Sequence, residues 1–242
     1  DYKEFDIEIV LVSSDKDIKN LERQMCDTPF ETLENFLFDF KLFKFEDGHG
    51  GFIINAHHLI SDAWTAGLVV NEIMGYYESM QNSNNISQEL NPSYIEYIES
   101  ENKYLNSEKF EKDKAFWNEM FNTAPEVATI PSFVSDATDS CKSKRKQFTI
   151  PKETISLIND FCKNNKASVF NFFMGIFSLY LSRVSGLDEF VIGTPILNRS
   201  NFKEKQTTGM FISTIPFKVS IDNTKSFGEF IADMASNFSK IY

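Results

Sequence analysis

The segment from Phe36 to His58 places two strand-like stretches on either side of a glycine-rich turn. Phe36 to Phe45 reads FLFDFKLFKF and has the alternation of a half-exposed strand. The cluster DGHGG at residues 47–51 separates it from a second stretch, Phe52 to His58. Glycines between two such runs are typical of a hairpin turn. We therefore predict a β-hairpin, so the chain must fold around a sheet.

A helix is predicted directly after this hairpin. Apolar residues recur at helical spacing from Ala63 to Met80, and Asp62 lies at the start of that segment, where helix-capping residues are common. The hairpin and the helix therefore meet at the two adjacent histidines, His57 and His58. The apolar positions that carry the helical period are Trp64, Leu68, Val69, Ile73, Met74 and Tyr77.

The remaining segments predict a chain of mixed α/β class. A first strand is expected at Glu4 to Val12, and a short strand is expected at Gln147 to Ile150. Further strands are predicted at 189–193 and 211–219, and helices at 15–26, 92–105, 107–121, 152–164, 168–186 and from Ser226 onward.

A small, polar and charged stretch indicates a division of the chain. Residues 131–146 read PSFVSDATDSCKSKRK, which is typical of a linker. We therefore predict an N-terminal lobe at 1–131, a linker at 132–146 and a C-terminal lobe at 147–242.

Charge and cysteine content exclude several classes of function. The formal net charge of -11 disfavours nucleic acid and anionic membranes as partners. The longest apolar run, Val169 to Leu181, is shorter than the ~20 residues of a spanning helix. The three cysteines are far apart and form no C-x-x-C pair, so neither a disulfide framework nor a metal site is expected. The cytoplasm is the expected compartment.

The histidine pair is the strongest candidate for chemistry. If both residues lie on a strand, His57 and His58 point to opposite faces, so only one of them can face a given pocket. An imidazole with an ordinary pKa near ~6.5 suits proton transfer at neutral pH. A single histidine at the end of a strand is more often structural than catalytic, so the residues alone permit only a candidate general base. They give no zinc-ligand pattern, and Ser61 lacks the surroundings of a serine nucleophile.

Two ordered motifs resemble those of one enzyme family. The sequence HHLISDA at 57–63 is similar to the HHxxxDG motif of the chloramphenicol-acetyltransferase-like superfamily, and its extension to Gly67 resembles condensation domains of nonribosomal peptide synthetases. Residues 191–199 (VIGTPILNR) and 209–217 (GMFISTIPF) resemble later motifs of the same domains. The stretch from Tyr94 to Trp117 is a weaker match. Together they cover nearly the whole chain, although such domains are normally longer at both ends.

The resemblance implies a fold and a reaction. The fold would be two chloramphenicol-acetyltransferase-like α/β lobes in a V arrangement, with mixed sheets flanked by helices and a tunnel between the lobes. The reaction would join a donor acyl or peptidyl thioester to the amine of an acceptor aminoacyl thioester. Donor and acceptor peptidyl carrier proteins would present both groups on 4'-phosphopantetheine arms, beside an adenylation domain. No cofactor bound to the domain itself is implied.

The resemblance also assigns roles to individual residues. His58 would orient or deprotonate the acceptor amine, and His57 would be structural. Asp62 would pair with Arg199, whose guanidinium can hold a carboxylate in a bidentate manner. Trp64 and Ser213 would contact substrate. Two positions depart from the motifs, since Ala63 stands where glycine is usual and Ser213 where asparagine is frequent.

Two other functions remain open at this stage. A noncatalytic module that docks carrier proteins or tailoring enzymes would explain Ala63, because a methyl group there could crowd the substrate if the backbone needed a positive φ. A free-standing acyltransferase with a soluble acceptor is the second alternative. If the chain is an incomplete domain, we also expect apolar surface or strand edges to be exposed.

Overall fold

The computed structural model describes residues 6–33, 35–82, 91–126, 128–130 and 145–241. Eight helices and five strands lie within this part of the chain. In chain order they are β1 Glu8–Val12, α1 Asp15–Asp27, β2 Phe38–Phe45, β3 Gly50–Ala56, α2 Ala63–Gln81, α3 Tyr94–Leu105, α4 Glu108–Met120, α5 Lys152–Asn164, α6 Val169–Ser185, β4 Glu189–Ile196, α7 Phe202–Gln206, β5 Ser213–Ser220 and α8 Phe227–Ile241.

The contacts define two compact units that are interleaved along the chain. The first takes its described residues from Asp1–Phe110 and Leu197–Ser213, and the second from Glu111–Ile196 and Thr214–Tyr242. The predicted linker, 132–146, lies outside the described residues except for its last two positions. The division into lobes at 1–131 and 147–242 stays a prediction.

A mixed three-stranded sheet forms the centre of the first unit. Strand β1 runs parallel to β2, and β2 runs antiparallel to β3. The predicted hairpin is confirmed, with Phe40 opposite Ile54 and Leu42 opposite Phe52. Gly48 has a φ of 95° in its turn, a conformation that glycine adopts without steric cost. Helix α1 makes the connection that two parallel strands require, and it buries Leu21 and Met25.

The second unit contains the sheet β4–β5 and helices that pack against it. Helix α8 approaches α6 closely at Gly175, where a Cβ atom would lie 2.1 Å from Ile231. The rings of Phe217 on β5 and Phe238 on α8 stack with their centroids 3.9 Å apart. The buried core of this unit is Leu181, Phe190, Ile192, Phe217, Val219, Phe230, Ile231, Met234 and Phe238.

Two predictions about elements were wrong, and one helix was missed. Residues 147–150 form no strand, and Phe148 is 85% exposed. An isolated strand gains no ladder hydrogen bonds, and no described strand pairs with these residues. Strand β3 ends at Ala56, before the histidine pair and not at it. The short helix α7 was not predicted, because five residues are too few to show a helical period.

No single helix in the described ranges has the length and apolar composition needed to cross a membrane. The pair α5 and α6 reaches that composition only when taken together, and it is bent by 96°.

Candidate active site

The histidine pair lies in the turn that follows β3. The backbone N–H of His57 donates to the carbonyl of Leu37 at 2.8 Å, and its ring Nδ1 accepts from the N–H of Leu59 at 3.1 Å. The half-buried ring also meets Phe30 edge to face, with the centroids 6.0 Å apart. His57 therefore holds the turn, and its remaining ring proton belongs on Nε2, since Nδ1 acts as an acceptor. His58 is exposed.

Asp62 lies four residues beyond His58 and is buried. One carboxylate oxygen, Oδ1, accepts from the N–H of Thr65 at 2.8 Å and so caps α2. The other oxygen, Oδ2, accepts from the N–H of Phe211 at 3.1 Å. Nη2 of Arg199 lies 3.3 Å from both oxygens. Asp62 is therefore at once a helix cap and the partner of a buried cation.

Arg199 is enclosed by acceptors. Its Nη1 donates to the carbonyls of Glu204 and Thr207. Its Nη2 approaches the hydroxyl of Thr65 at 3.0 Å and the carbonyl of Gly209 at 3.2 Å, besides the carboxylate. The guanidinium lies over the Phe211 ring, with Cζ 3.8 Å from the ring centroid. Among the described atoms Nε has no hydrogen-bond partner.

Arg199 lies within hydrogen-bonding reach of Asp62, but the contact is not the two-nitrogen fork of which a guanidinium is capable. A fork-to-fork contact uses two guanidinium nitrogens, whereas here Nη2 alone faces both carboxylate oxygens. The reason is that Nη1 is already committed to two backbone carbonyls. Arg199 therefore stabilises the backbone of residues 199–207 as well as binding Asp62.

The electrostatics of this pair favour the ionised carboxylate. Burial by itself raises the pKa of Asp62. The N–H groups of Thr65 and Phe211 and the charge of Arg199 outweigh that effect, so the pKa lies below its ordinary value of 3.8. Both side chains have 0% exposure, so the pair is shielded from solvent.

Thr65 and Gly209 join α2 to the segment that carries Arg199. The hydroxyl of Thr65 donates to the Gly209 carbonyl at 2.7 Å and accepts from the Gly209 N–H at 3.0 Å. Gly209 has a φ of 152°, and a Cβ there would lie 2.2 Å from the ring of Tyr94. Only glycine fits this position without a shift of the ring.

An aromatic cluster supports the same segment from α3. Phe211 lies 4.3 Å from Tyr97 and 5.2 Å from Tyr94, measured between ring centroids. The hydroxyl of Tyr94 donates to the Met210 carbonyl at 2.7 Å. Tyr97 accepts from the amide of Asn198, a residue with a φ of 53°. Burial, together with the nearby Glu101, raises the pKa of Tyr97 to about 12, so this hydroxyl stays protonated.

The other predicted site residues lie near the surface. The indole N–H of Trp64 donates to the Lys205 carbonyl at 2.8 Å, and the side chain is 40% exposed. Ser213 is exposed at the start of β5. Ala63 is the exposed first residue of α2. The described non-glycine residues with positive φ are Lys166 and Asn198, so Ala63 does not require the conformational freedom of glycine.

An apolar groove opens beside the turn. It has a volume of about 1050 Å³ and lies between one face of the first sheet and α2. It extends to Ile60 and Ser61, which follow His58. Its apolar lining includes Phe38, Phe40, Phe52, Ile54, Val69 and Ile73.

Some of this arrangement was beyond sequence reasoning. The motifs named Asp62 and Arg199 as a pair, and the structure brings them together. The hydroxyl of Thr65 and the carbonyls of Glu204 and Thr207 were missed, because no residue pattern identifies which backbone carbonyl a side chain meets, whether the two are distant in sequence, as for Thr65 and Gly209, or near, as for Arg199 and Glu204. The one feature of the sequence that pointed to these contacts is Gly209, which lies ten residues after Arg199. In the described ranges no three His, Cys, Asp or Glu side chains come together as metal ligands.

The fold is that of a condensation domain. The first condensation domain of the calcium-dependent antibiotic synthetase, solved with a substrate analogue, superposes over 99% of this chain with a TM-score of 0.83 and 16% identity. A four-domain nonribosomal peptide synthetase, solved with AMP and glycine, superposes over 98% of the chain with a TM-score of 0.76 and 19% identity. At these identities the superpositions establish the fold alone.

Sequence comparison gives the family. The profile of the Condensation domain matches residues 1–242, and the chain belongs to that family. Surfactin synthase subunit 1 of Bacillus subtilis (strain 168) is 35% identical over 223 residues, which is 92% of this chain. The match spans 6% of that synthase subunit, 54% of the solved antibiotic-synthetase domain and 18% of the four-domain synthetase.

Proposed function

We propose that this chain belongs to a condensation domain that forms amide bonds on a nonribosomal peptide synthetase. The observation that carries the proposal is the exposed His58 on a turn whose other end, Asp62, is fixed by a buried ion pair with Arg199. A reactive imidazole on a rigid support is the arrangement that proton transfer between positioned substrates requires. Membership of the Condensation family supports the same reaction.

The proposed step is an acyl transfer from sulfur to nitrogen. The acceptor amine attacks the carbonyl carbon of the donor thioester, a C–N bond forms, and the C–S bond breaks. The amine loses a proton and the departing thiolate gains one. Donor and acceptor arrive on phosphopantetheine arms of two carrier proteins, so their reaction becomes effectively unimolecular, which can supply most of the acceleration.

His58 orients the amine or accepts its proton in this proposal. His57 is the supporting residue, because its Nδ1 is occupied by the N–H of Leu59. Asp62 and Arg199 hold the turn and take no part in bond making. Trp64 and Ser213 have exposed surface for contact with a substrate arm, although the indole N–H of Trp64 already donates to Lys205.

The partners in this proposal are donor and acceptor carrier proteins and an adjacent adenylation domain. The four-domain synthetase, a single chain that contains a region of this fold, supports a multidomain setting. The ordinary backbone at Ala63 removes one argument for a noncatalytic docking module, since the methyl group imposes no strain there.

The experiment compares His58→Ala and His57→Ala in the complete domain with loaded carrier proteins. We expect His58→Ala to lower amide formation by about 10²-fold or more, the usual effect of losing a general acid–base group, with little change in thermal stability. His57→Ala is expected to lower the melting temperature. The exposed His49, in the hairpin turn, provides the control variant His49→Ala. Near-normal turnover by His58→Ala would remove the proposed role.

A further inference from the structure

We propose that Thr65 is a positioning residue whose hydroxyl sets the turn that carries His58, an inference that rests on the proposed function. Every hydrogen-bonding capacity of this hydroxyl is used. Its one proton goes to the Gly209 carbonyl, and its two lone pairs accept from the Gly209 N–H and from Nη2 of Arg199. The residue is only 4% exposed, so water does not compete for these bonds.

The backbone of the same residue acts on Asp62. The N–H of Thr65 donates to Oδ1 of Asp62 at 2.8 Å, while its hydroxyl meets the Arg199 nitrogen that faces both Asp62 oxygens. Thr65, Asp62 and Arg199 therefore form a closed triangle of hydrogen bonds. Displacement of one member displaces the other two, because buried donors and acceptors must remain paired.

The triangle is joined to His58 by a short, structured connection. The turn after His57 is closed by bonds from Leu59 and Ile60 to His57, and it leads directly to Asp62. Within the described segment, position 58 is thus set by His57 at one end and by the Thr65 triangle at the other. A hydroxyl that holds the second end controls the location of the imidazole without touching a substrate.

The chemistry predicts which substitutions matter. Thr65→Val keeps the shape of the side chain but leaves the Gly209 N–H and carbonyl buried without their partner. Thr65→Ser keeps the hydroxyl and loses only a methyl group. Thr208 is an exposed threonine between α7 and β5, one residue before Gly209, so Thr208→Val is the matched control.

The decisive measurement follows the imidazoles by ¹⁵N NMR in the full domain. The described chain holds three histidines, and His49 lies in the distant hairpin turn as an internal reference. We expect Thr65→Val to shift the resonances of His57 and His58 while that of His49 stays in place. Thr65→Ser and Thr208→Val should reproduce the parent spectrum. This readout needs no turnover.

Kinetics with loaded carrier proteins give the second readout. We expect Thr65→Val to lower kcat by about tenfold to 10²-fold with a small change in KM, since a misplacement of ~1 Å can have that effect, and Thr65→Ser to restore kcat. Unchanged His57 and His58 resonances in Thr65→Val overturn the proposal. If Thr65→Val does not fold, Thr65→Ser decides: a parent-like spectrum and kcat support the proposal, and displaced resonances with a lower kcat overturn it.

The two proposals fail in distinguishable ways. Normal turnover by His58→Ala removes the catalytic role of His58, whereas the NMR result for Thr65→Val still reports whether the hydroxyl positions the turn. Conversely, loss of turnover in His58→Ala together with an unchanged spectrum in Thr65→Val leaves the proposed function in place and removes Thr65 from it.

Discussion

At the scale of single residues, Asp62 combines two roles that are usually separate. As a cap it accepts from the N–H of Thr65, and as an anion it faces Arg199 in a site without solvent. Loss of an N-cap costs about 0.5–2 kcal/mol, whereas removal of one member of a buried ion pair costs about 3–5 kcal/mol. The second effect is larger, because the remaining charge has no water to solvate it.

We therefore expect Asp62→Asn and Arg199→Ala each to lower the free energy of unfolding by about 3–5 kcal/mol. Asparagine can still cap α2 through its amide oxygen, but its NH₂ group cannot accept from the N–H of Phe211, so Asp62→Asn removes the charge together with that hydrogen bond. The double variant should lose much less than the sum, because neither charge is then left alone. Urea unfolding of the parent, the two single variants and the double variant completes this double-mutant cycle. Small, additive losses would reduce Asp62 to a helix cap.

The depressed pKa of Asp62 gives this stabilisation a defined pH dependence. The pKa of the folded state lies below the ordinary value of 3.8, so the unfolded state binds the proton more tightly. The contribution is fully present above pH 3.8 and is lost as the pH falls through the lower pKa of the folded state. Other carboxyl groups with lowered pKa values, such as Asp17 and Glu229, contribute equally to the unfolding free energy of the parent and of an Asp62 variant, so they cancel in the difference.

We accordingly expect the difference in unfolding free energy between the parent and Asp62→Asn to be constant from pH 7 to about pH 4. Below that range it should shrink, because the parent then gains the proton that asparagine never binds. Urea titrations at each pH measure it. A difference that grew toward acid pH would mean that Asp62 is not held as a carboxylate.

At the scale of elements, we expect replacement of glycine by alanine to have opposite effects on stability at Gly209 and at Gly67. Gly209 has a φ of 152° and no room for a Cβ beside Tyr94, whereas Gly67 lies in α2 with nothing within 4 Å of that position. Gly209→Ala should destabilise the protein by about 1–3 kcal/mol through backbone strain and the displaced ring. Gly67→Ala should be neutral or stabilise by about 0.5–1 kcal/mol, since alanine favours helix. Thermal melts of both variants compare the two sites, and equal effects would contradict the close packing at Gly209.

The elements also show where sequence reasoning succeeds. The hairpin and α2 were predicted well because their periods are local properties of the chain. The strand expected at 147–150 was wrong, because a strand needs a partner that no local pattern specifies. For the same reason Asp62 and Arg199 could be paired only through the family motifs, and the hydroxyl of Thr65 could not be placed at all.

At the scale of the whole molecule, the first sheet has two unlike faces. Asn55, on one face, donates to the carbonyl of Met25 in α1. The other face carries an apolar row, since Ile9 is opposite Leu42 and Leu42 is opposite Phe52, and Lys44 opposite Leu11 borders this row. On its β1 side Ile9 is 62% exposed and Leu11 is 79% exposed. Large exposed apolar patches are uncommon in monomeric soluble proteins.

We expect native protein of residues 1–242 to bind a hydrophobic fluorescent dye through this face. Leu11→Lys should reduce the dye fluorescence, because it places a charge on the apolar surface next to the exposed Ile9. Leu33→Lys is the matched control, since Leu33 is 82% exposed in the connection between α1 and β2. Both substitutions add one positive charge, so a difference between them reports the patch and not the net charge. Circular dichroism verifies that each variant is folded. Equal dye binding by parent, Leu11→Lys and Leu33→Lys would mean that this face of the sheet is covered in solution.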